Sequence, residues 1–364
     1  MLPYASCIGC GNCALCCSAD CIYMRPDPHG FLYPQTDAAR CTGCGRCEQV
    51  CPVLRSTEEV RDKMPPAYAA YIRDRKIQLQ SSSGGIFSAL AAYVLQRGGA
   101  VCGAALDSSL RVKHDLADTS EALGRFRGSK YVQSNLGDSF TVIRSYLERR
   151  RDVLFSGTPC QVAALHAFLG RPYTELITVD IICHGVPSPK VWETYLRWQG
   201  SVYGANAVSA SFRDKRLGWK QSSVALGFDD GQEYSMPIYQ DAFMRAFLKN
   251  LCLRDVCYNC EFKTKTRCSD LTLGDFWGIE DILPEFKSFS GVSLVILQSD
   301  KGRQLWDSIA KDCEIHAVDG ETSITHNEAM FYSCLRHPAE LYFWEHLDTM
   351  DFGKLVDYCL CRKK

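Results

Sequence analysis

The chain carries the sequence CIGCGNCALCC at residues 7–17 and the sequence CTGCGRCEQVCP at residues 41–52. Both runs have the cysteine spacing C-x2-C-x2-C-x3-C. In two-cluster ferredoxins this spacing places three thiolates around one [4Fe–4S] cluster and sends the fourth to the other cluster. The glycines between the cysteines let the backbone turn tightly around the inorganic core. The two runs therefore predict an amino-terminal module that holds two [4Fe–4S] clusters.

The spacing assigns four cysteine ligands to each cluster. The ligands of the first cluster are Cys7, Cys10, Cys13 and Cys51, and those of the second cluster are Cys41, Cys44, Cys47 and Cys17. One position departs from the usual pattern, because Ser18 stands where a proline usually follows the fourth cysteine. Cys16 and Cys21 of the same loop could each replace Cys17. A structural zinc site is disfavoured, since zinc usually takes two cysteine pairs that are well separated in sequence.

Composition limits the compartment and the partners. The chain has 364 residues, a formal net charge of −1 and 21 cysteines. It has no basic stripe, so nucleic acid is not an expected partner. The longest apolar stretch, residues 86–95, is too short for a membrane span. The amino terminus shows no export signal, so we expect a cytoplasmic protein whose cysteines hold metal clusters rather than disulfides.

The rest of the chain predicts a larger domain after a short linker. We place the ferredoxin module at residues 1–58, a charged linker at 59–66, the larger domain at 67–320 and a helical C-terminal extension at 321–364. From residue 67 onwards, apolar strands alternate with amphipathic helices, which is typical of a parallel sheet covered by helices. Three strands between residues 207 and 237 are predicted to be antiparallel. The predicted fold class is therefore α+β and α/β, with a ferredoxin module followed by an α/β domain with a mixed sheet.

Two single cysteines follow predicted strands of this sheet. Cys160 comes after the strand at 153–155, and Cys183 comes after the strand at 176–182. Ligands of open α/β sheets bind beyond the carboxyl ends of the strands, so both side chains are expected near the functional site. Further along the chain, Cys257 and Cys260 form a C-x2-C pair.

A Ser/Gly loop opens the first long helix of the larger domain. Residues 80–85 read QSSSGG and precede the apolar helix at 86–95. Such a loop offers unpaired N–H donors and the positive end of the helix dipole, which suit a phosphate or pyrophosphate. An ordinary helix cap with a small-residue turn explains the same sequence about equally well. The residues alone leave both interpretations open.

Six motifs in a fixed order resemble the family of the beta subunits of coenzyme F420-reducing hydrogenase and F420-linked formate dehydrogenase. The motifs are SGGI at 83–86, GSKY at 128–131, GTPCQ at 157–161, ICHG at 182–185, C-x2-C at 257–260 and DLTLGD at 270–275. They fall within residues 67–297. A ferredoxin module is a common amino-terminal companion of this domain, which strengthens the resemblance.

The resemblance implies two cofactors in the larger domain. It implies FAD on the Ser/Gly loop and its helix, and a third [4Fe–4S] cluster whose ligands correspond to Cys160, Cys183, Cys257 and Cys260. Cys252 and Cys268 are rivals for a place in this set. The residues implied in cofactor binding are Ser82, Ser83, Gly84, Gly85, Lys130, Gly157, Thr158, Gly274 and Asp275.

Lys130 and His184 are the candidate catalytic residues. Lys130 would lie near the flavin or a substrate anion, although a loop lysine is often a plain surface residue. His184 would donate a proton, or would support its neighbour Cys183 as a cluster ligand. Asp275 would line the flavin site or cap a turn.

The resemblance implies an oxidoreductase that depends on FAD and on ferredoxin-type clusters. Electrons would pass between the [4Fe–4S] clusters and, through FAD, a two-electron substrate such as the deazaflavin coenzyme F420. The expected partners are a redox protein such as ferredoxin, or a larger oxidoreductase, and the small-molecule substrate. One alternative is an electron-transfer subunit of a larger complex with no substrate of its own. Another is a ferredoxin-dependent reductase of polysaccharide or small-molecule metabolism.

Overall fold

The amino-terminal module is built from a two-stranded hairpin and two short helices. In the computed structural model, which describes residues 4–55, 63–286 and 288–361, these elements are α1 (Asn12–Leu15), β1 (Ile22–Pro26), β2 (Leu32–Thr36) and α2 (Arg46–Gln49). Each helix follows a glycine with a positive φ, +79° at Gly11 and +71° at Gly45. Glycine adopts this backbone readily, so both cysteine runs turn in the same way. Residues 59–62 of the predicted linker lie outside the described residues.

The larger domain contains two sheets. Its strands are β3 (Ala67–Ile72), β4 (Ala100–Leu106), β5 (Val112–Ala117), β6 (Val153–Gly157), β7 (Leu176–Ile181), β8 (Ala207–Asp214), β9 (Ser223–Phe228), β10 (Glu233–Pro237), β11 (Leu271–Asp275), β12 (Ser293–Leu297) and β13 (Cys313–Val318). The large sheet has the strand order β13-β3-β12-β11-β7-β6-β4-β5, and the small sheet has the order β10-β9-β8.

The centre of the large sheet is parallel and its margins are antiparallel. Strands β4, β6, β7 and β11 run parallel to one another. β5 pairs antiparallel with β4, while β12, β3 and β13 follow β11 as successive antiparallel neighbours. The predicted mixed sheet is therefore confirmed. Because the central strands are parallel, their carboxyl ends meet at one edge, where β6 ends at Gly157, β7 at Ile181 and β11 at Asp275.

Helices cover both faces of the large sheet. The α-helices of the larger domain are α3 (Arg75–Gln80), α4 (Ile86–Gln96), α5 (Ser139–Glu148), α6 (Pro159–Leu169), α7 (Pro189–Tyr203), α8 (Ala242–Leu248), α9 (Ile279–Ile282), α10 (Asp300–Ile309), α11 (Gly320–Ser323), α12 (Glu340–His346) and α13 (Phe352–Cys361). Helices α4 and α10 share one apolar cluster with Leu154 of β6. Helices α5 and α6 share another with Phe155, the next residue of that strand. Successive residues of a strand point to opposite faces, so the two clusters lie on opposite sides of the sheet.

A third apolar cluster joins the small sheet to the last two helices. It contains Val224 of β9 and Phe243 of α8 together with Phe343 of α12 and Leu355 of α13. Much of the region predicted as a C-terminal extension thus packs into the same core as α7 and α8. The same cluster contains Cys257, which lines one cavity together with Cys183, the cysteine that follows β7. The core is therefore next to the carboxyl edge of the large sheet.

Strand β13 has no counterpart in the sequence prediction. It pairs with β3 from Cys313 opposite Ile72 to Val318 opposite Ala67 and forms the edge of the large sheet. Its residues do not alternate strictly between buried and exposed positions. The period of two that identifies a half-buried strand is therefore missing from this stretch.

Candidate cluster sites and cofactor cavity

The four cysteines assigned to the first cluster meet in the amino-terminal module. A small cavity is lined by Cys7, Cys10, Cys13 and Cys51. The pKa of Cys10 is raised to about 12, mainly by burial and also by the neighbouring thiols of Cys7 and Cys51. Thiols that oppose one another's ionisation become a set of thiolates only when a bound cation or cluster stabilises them. The arrangement fits a cluster at these four residues.

The second site lies at the surface of the module. Cys41 and Cys44 are exposed, whereas Cys47 and Cys17 are half-buried. A hydrogen bond from the backbone of Arg46 lowers the pKa of Cys44, although the charge of Cys17 opposes this shift. Burial raises the pKa of Cys47, and the charge of Cys44 adds to that rise. These sulfurs therefore lie near one another, as a cluster site requires, and the site faces solvent.

Both rival cysteines also lie at the second site. The sulfur of the buried Cys21 lies 3.4 Å from the sulfur of Cys17. The Cys16 sulfur lies 3.5 Å from the carbonyl oxygen of Cys13. Burial raises the pKa of Cys16, and so does the charge of Cys47. The structure thus brings both rivals to the site, and the assignment of Cys17 as ligand stays a prediction.

The four cysteines assigned to the third cluster line one cavity, the third site. They come from the start of α6, the loop after β7 and a 3-10 helix at Asp255–Asn259, and they are Cys160, Cys183, Cys257 and Cys260. The pKa of Cys160 is well above its usual value because of burial and then because of the charge of Cys260. Cys252 and Cys268, the two rivals, are not part of this lining.

The N-terminus of α6 fixes the position of Cys160. Thr158 precedes the helix, and its backbone N–H donates to Oε1 of Gln161 at 2.9 Å. This contact is half of a capping box, which satisfies N–H groups that a helix leaves unpaired at its start. The Thr158 hydroxyl lies 3.1 Å from the Cys160 sulfur. The sulfur therefore sits in a defined place at the end of β6.

Two basic side chains, those of Lys263 and Arg267, line the third site together with the cysteines. Lys263 donates to the carbonyl oxygen of Cys183 at 2.8 Å, and Arg267 donates to the carbonyl oxygen of Ile181 at 3.1 Å. Burial raises the pKa of Cys183 to about 11, and the charges of Lys263 and Arg267 oppose that rise. A cluster held by four thiolates is anionic, so nearby cations stabilise it.

A cavity of about 760 Å³ opens beside the third site. Cofactor sites typically enclose about 300–1,000 Å³. Its lining includes the predicted residues Ser82, Ser83, Gly85, Lys130, Gly157, Thr158, Gly274 and Asp275, and also His184. Gly84 instead packs behind the Ser/Gly loop, where a Cβ atom would lie 2.3 Å from the carbonyl oxygen of Ala70.

The Ser/Gly loop is held in place by its own hydroxyl groups. The Ser82 hydroxyl accepts from the backbone N–H of Ser129 at 2.5 Å, and the Ser83 hydroxyl donates to the carbonyl oxygen of Val292 at 2.7 Å. Gly85 has a φ of +85° and leads directly into α4. The N-terminal end of this 11-residue helix therefore faces the cavity, which suits a phosphate group.

Lys130 and His184 line the large cavity from different sides. The Lys130 amine donates to the carbonyl oxygens of Arg125 at 2.8 Å and Arg127 at 2.9 Å, and burial lowers its pKa to about 7. Burial also lowers the pKa of His184, whose Nε2 lies 2.7 Å from Oδ1 of Asn250. Because an amide oxygen only accepts, that nitrogen carries the proton of a neutral imidazole.

Asp275 has both of its carboxylate oxygens occupied. One oxygen pairs with Arg213 at 2.9 Å, and the other accepts from the indole N–H of Trp219 at 2.8 Å. The Trp219 ring stacks in turn on Trp277, with the ring centroids 4.9 Å apart. Asp275 therefore anchors a buried cation and two aromatic rings at the wall of the cavity. The sequence prediction included Asp275 but not Arg213.

A chain of hydrogen bonds forms the wall between the third site and the large cavity. Nε2 of Gln161 donates to the Ser134 hydroxyl at 2.9 Å, which lies 2.9 Å from Nδ1 of His114. Nε2 of His114 lies 3.0 Å from the carbonyl oxygen of Ser156, and burial lowers the histidine pKa to about 4. Gln161 and Ser134 line both cavities. The sequence prediction missed His114 and Ser134.

Two family models match the larger domain. The amino-terminal model of the coenzyme F420 hydrogenase/dehydrogenase beta subunit matches residues 67–140, and the model of its C terminus matches residues 150–322. The chain belongs to this family. A 4Fe-4S dicluster domain model matches residues 6–54. The chain is therefore an iron–sulfur electron-transfer protein of the F420 hydrogenase/dehydrogenase beta-subunit family, and the resemblance seen in the sequence is confirmed.

A solved structure with some likeness to this family member is the F420-reducing [NiFe] hydrogenase complex from Methanosarcina barkeri, in a study of its xenon derivatization. The match has a TM-score of 0.49 and 17% sequence identity, and it covers 74% of this chain and 93% of that chain. No curated protein matches the chain significantly.

In residues 4–55, 63–286 and 288–361, no helix is both long and apolar enough to cross a membrane. Within the same ranges, no group of three or more His, Cys, Asp or Glu side chains is close enough to hold a single metal ion.

Proposed function

We propose that this member of the F420 hydrogenase/dehydrogenase beta-subunit family is an FAD-dependent iron–sulfur oxidoreductase with three [4Fe–4S] clusters. The lining of the third site carries the proposal. It includes Ile8 and Gly9 from the loop of the first site, and it shares Cys183 and His184 with the large cavity. The third site thus lies between the amino-terminal module and the large cavity.

The order of the four sites supports a path through the protein. The second site is exposed at Cys41 and Cys44, so an external redox protein can approach it. The first site lies in the same module as the second. It is also close to the third site, because the charge of Cys160 contributes to the raised pKa of Cys10. When bound, clusters exchange single electrons and a flavin exchanges one or two, so this set would couple a one-electron carrier to a two-electron substrate.

The shape and chemistry of the large cavity support FAD as its occupant. The cavity has room for a dinucleotide, and the N-terminus of α4 offers N–H groups to a pyrophosphate. Lys130 adds a nearby cation with a pKa of about 7, lowered by burial. His184, in the wall shared with the third site, offers a neutral imidazole held by Asn250. These residues would bind and orient the cofactor and its substrate.

The proposed substrate is a two-electron carrier of the deazaflavin type, coenzyme F420, and the proposed partner is a ferredoxin or a larger oxidoreductase. The family supports this choice of substrate. The exposed second site supports a protein partner, because that site lies at the surface of the module.

Analysis of iron, sulfide and flavin in anaerobically purified protein tests the proposal. We expect about twelve iron atoms, from about four in each of three clusters, and one FAD. A content near eight iron atoms with flavin present would contradict the proposed third cluster. Protein without flavin would contradict the FAD-dependent reaction and would favour an electron-transfer subunit with no substrate of its own. Reduction of F420 by the loaded protein tests the substrate.

A further inference from the structure

Arg254 is a buried arginine between the first and third sites. Its side chain is among the largest fully buried ones, with 1% relative exposure. The residue directly precedes the 3-10 helix at Asp255–Asn259, and its carbonyl oxygen accepts from the N–H of Cys257 at 2.9 Å. It is therefore part of the segment that presents two cysteines to the third site.

The guanidinium of Arg254 reaches from this segment into the amino-terminal module. Its Nε donates to the carbonyl oxygen of Cys7 at 2.7 Å, and its Nη2 donates to the carbonyl oxygen of Leu32 at 3.0 Å. The guanidinium carbon also lies 4.2 Å from the centre of the Tyr33 ring. Two parts of the module, the loop of Cys7 and the start of strand β2, are thus held by one side chain from the larger domain.

Gln133 and Gly9 both lie close to the guanidinium of Arg254. Nη1 of Arg254 donates to Oε1 of Gln133 at 3.0 Å, and Nε2 of Gln133 donates to the carbonyl oxygen of Ile8 at 3.0 Å. At Gly9 a Cβ atom would lie 2.8 Å from Nη1, so a larger residue would displace the guanidinium. The loop of the first site and the guanidinium therefore fit closely.

No carboxylate of the described residues pairs with the charge of Arg254. Among the described residues, the ion pairs include none with Arg254, and its hydrogen-bond acceptors are two carbonyl oxygens and one amide oxygen. A buried cation is unfavourable unless an opposite charge compensates it. Cys7 belongs to the first cluster site and Cys257 to the third, and an anionic cluster at either one would supply that opposite charge.

We propose that Arg254 is a positioning residue that fixes the first cluster site against the third and places a positive charge between the two clusters. This inference rests on the proposed function, because it requires the third cluster. The planar fork of arginine is needed to bond three acceptors at once. Its charge also stabilises the reduced, more negative state of both clusters, so it raises their reduction potentials.

Two substitutions separate the geometry from the charge. Arg254→Lys keeps the charge but loses the fork, and we expect weaker spin–spin coupling between the reduced first and third clusters, with nearly unchanged potentials. Arg254→Gln removes the charge, and we expect lower potentials for both clusters. The second cluster lies at the surface of the module, and its potential is expected to stay constant in both variants. Electron paramagnetic resonance during a redox titration measures all of these quantities.

The control is Arg144, another arginine that stacks on an aromatic ring and bonds a carbonyl oxygen. It lies 3.9 Å above the ring of Phe168 and donates to that residue's carbonyl oxygen at 2.5 Å. Arg144→Lys and Arg144→Gln are expected to leave the coupling and the potentials unchanged. If Arg254→Gln does not fold, Gln133→Ala loosens the same contact without removing a charge, and weaker coupling is again expected.

The outcomes distinguish this inference from the proposed function. Wild-type protein with about eight iron atoms, or without flavin, would overturn the proposed function before any variant is made. Wild-type protein with about twelve iron atoms and FAD, combined with unchanged coupling and potentials in both Arg254 variants, would overturn the role of Arg254 alone.

Discussion

The sulfur of Cys17 lies 3.4 Å from the sulfur of Cys21, so two thiols compete for one ligand position of the second cluster. The backbone N–H of Cys21 also donates to the Cys17 sulfur, at 3.5 Å. These hydrogen bonds lower the pKa of Cys17, and the bond between the thiols raises the pKa of Cys21 to about 11. We therefore predict, as the sequence spacing does, that Cys17 is the ligand thiolate and that the backbone N–H of Cys21 supports it.

Substitution of each cysteine checks this assignment. Cys17→Ser is expected to lose about four iron atoms, because the second cluster loses a ligand. Cys21→Ala is expected to keep its iron but to lower the potential of that cluster, since a hydrogen bond to a ligand sulfur disappears. Iron analysis and a redox titration give the answer. Loss of iron from Cys21→Ala alone would reverse the two roles.

Cys257→Ala is expected to lose about four iron atoms and to keep about eight together with FAD. The reason is that the three cluster sites use separate cysteines. Cys252→Ala is the matched control, because Cys252 is also buried in the apolar cluster that contains Cys257 but does not line the third site. Equal iron in the two variants would show that Cys257 has a purely structural role.

Ser82→Asp is expected to weaken FAD binding about tenfold or more, because a carboxylate beside the N-terminus of α4 repels a pyrophosphate. Ser82→Asn, which is similar in shape and neutral, is the control and is expected to bind FAD nearly normally. Gly85 is a less suitable position, since its φ is +85° and a Cβ atom there would lie 2.8 Å from Ile72. Titration of flavin-free protein with FAD measures the difference. Similar affinities in both variants would place the pyrophosphate elsewhere.

FAD affinity is expected to fall as the pH rises above 7, by up to about tenfold per pH unit. The cause is Lys130, whose pKa is lowered by burial to about 7, so it is charged below that pH and neutral above it. Lys130→Met is expected to flatten the dependence, and Lys113→Met, at an exposed lysine of β5, is expected to preserve it. Burial also lowers the pKa of Lys215 to about 7, and its amine donates to the carbonyl oxygen of Ser83 in the Ser/Gly loop at 2.8 Å, so a weaker pH dependence left in Lys130→Met is expected to come from Lys215. A pH dependence identical in wild type and Lys130→Met would exclude Lys130 from the site.

Local sequence patterns predicted the parts of the site that lie close together in the chain. The C-x2-C spacing brought Cys7 and Cys10 to one cavity, because a loop of two residues between them is enough to do so. The predicted strand ends anticipated that Cys160 and Cys183 line one cavity, since parallel strands deliver their carboxyl ends to the same edge. The Ser/Gly loop was a candidate phosphate site because it opens a helix with unpaired N–H donors, and Ser82, Ser83 and Gly85 line the large cavity.

Long-range contacts were beyond the reach of the sequence. Arg254 reads as an ordinary charged residue, and its role depends on Cys7, which is 247 positions away. His114 lies in a strand near the sheet margin, and only the fold brings it to Ser134 and the cavity. Gly84 was predicted to bind the cofactor, but it packs behind the loop. The sequence could not show this, because close packing and ligand contact both favour glycine.

The shared wall between the third site and the large cavity has a consequence for how the holoprotein is assembled. Ile8 and Gly9 close the third site on the side of the module, and the large cavity adjoins it on the other. A preformed cluster therefore reaches its cysteines either before the module docks or through the large cavity while that cavity is empty. In the proposed holoprotein, the second route requires iron insertion before flavin loading, and early arrival of FAD would leave only the route that precedes docking of the module.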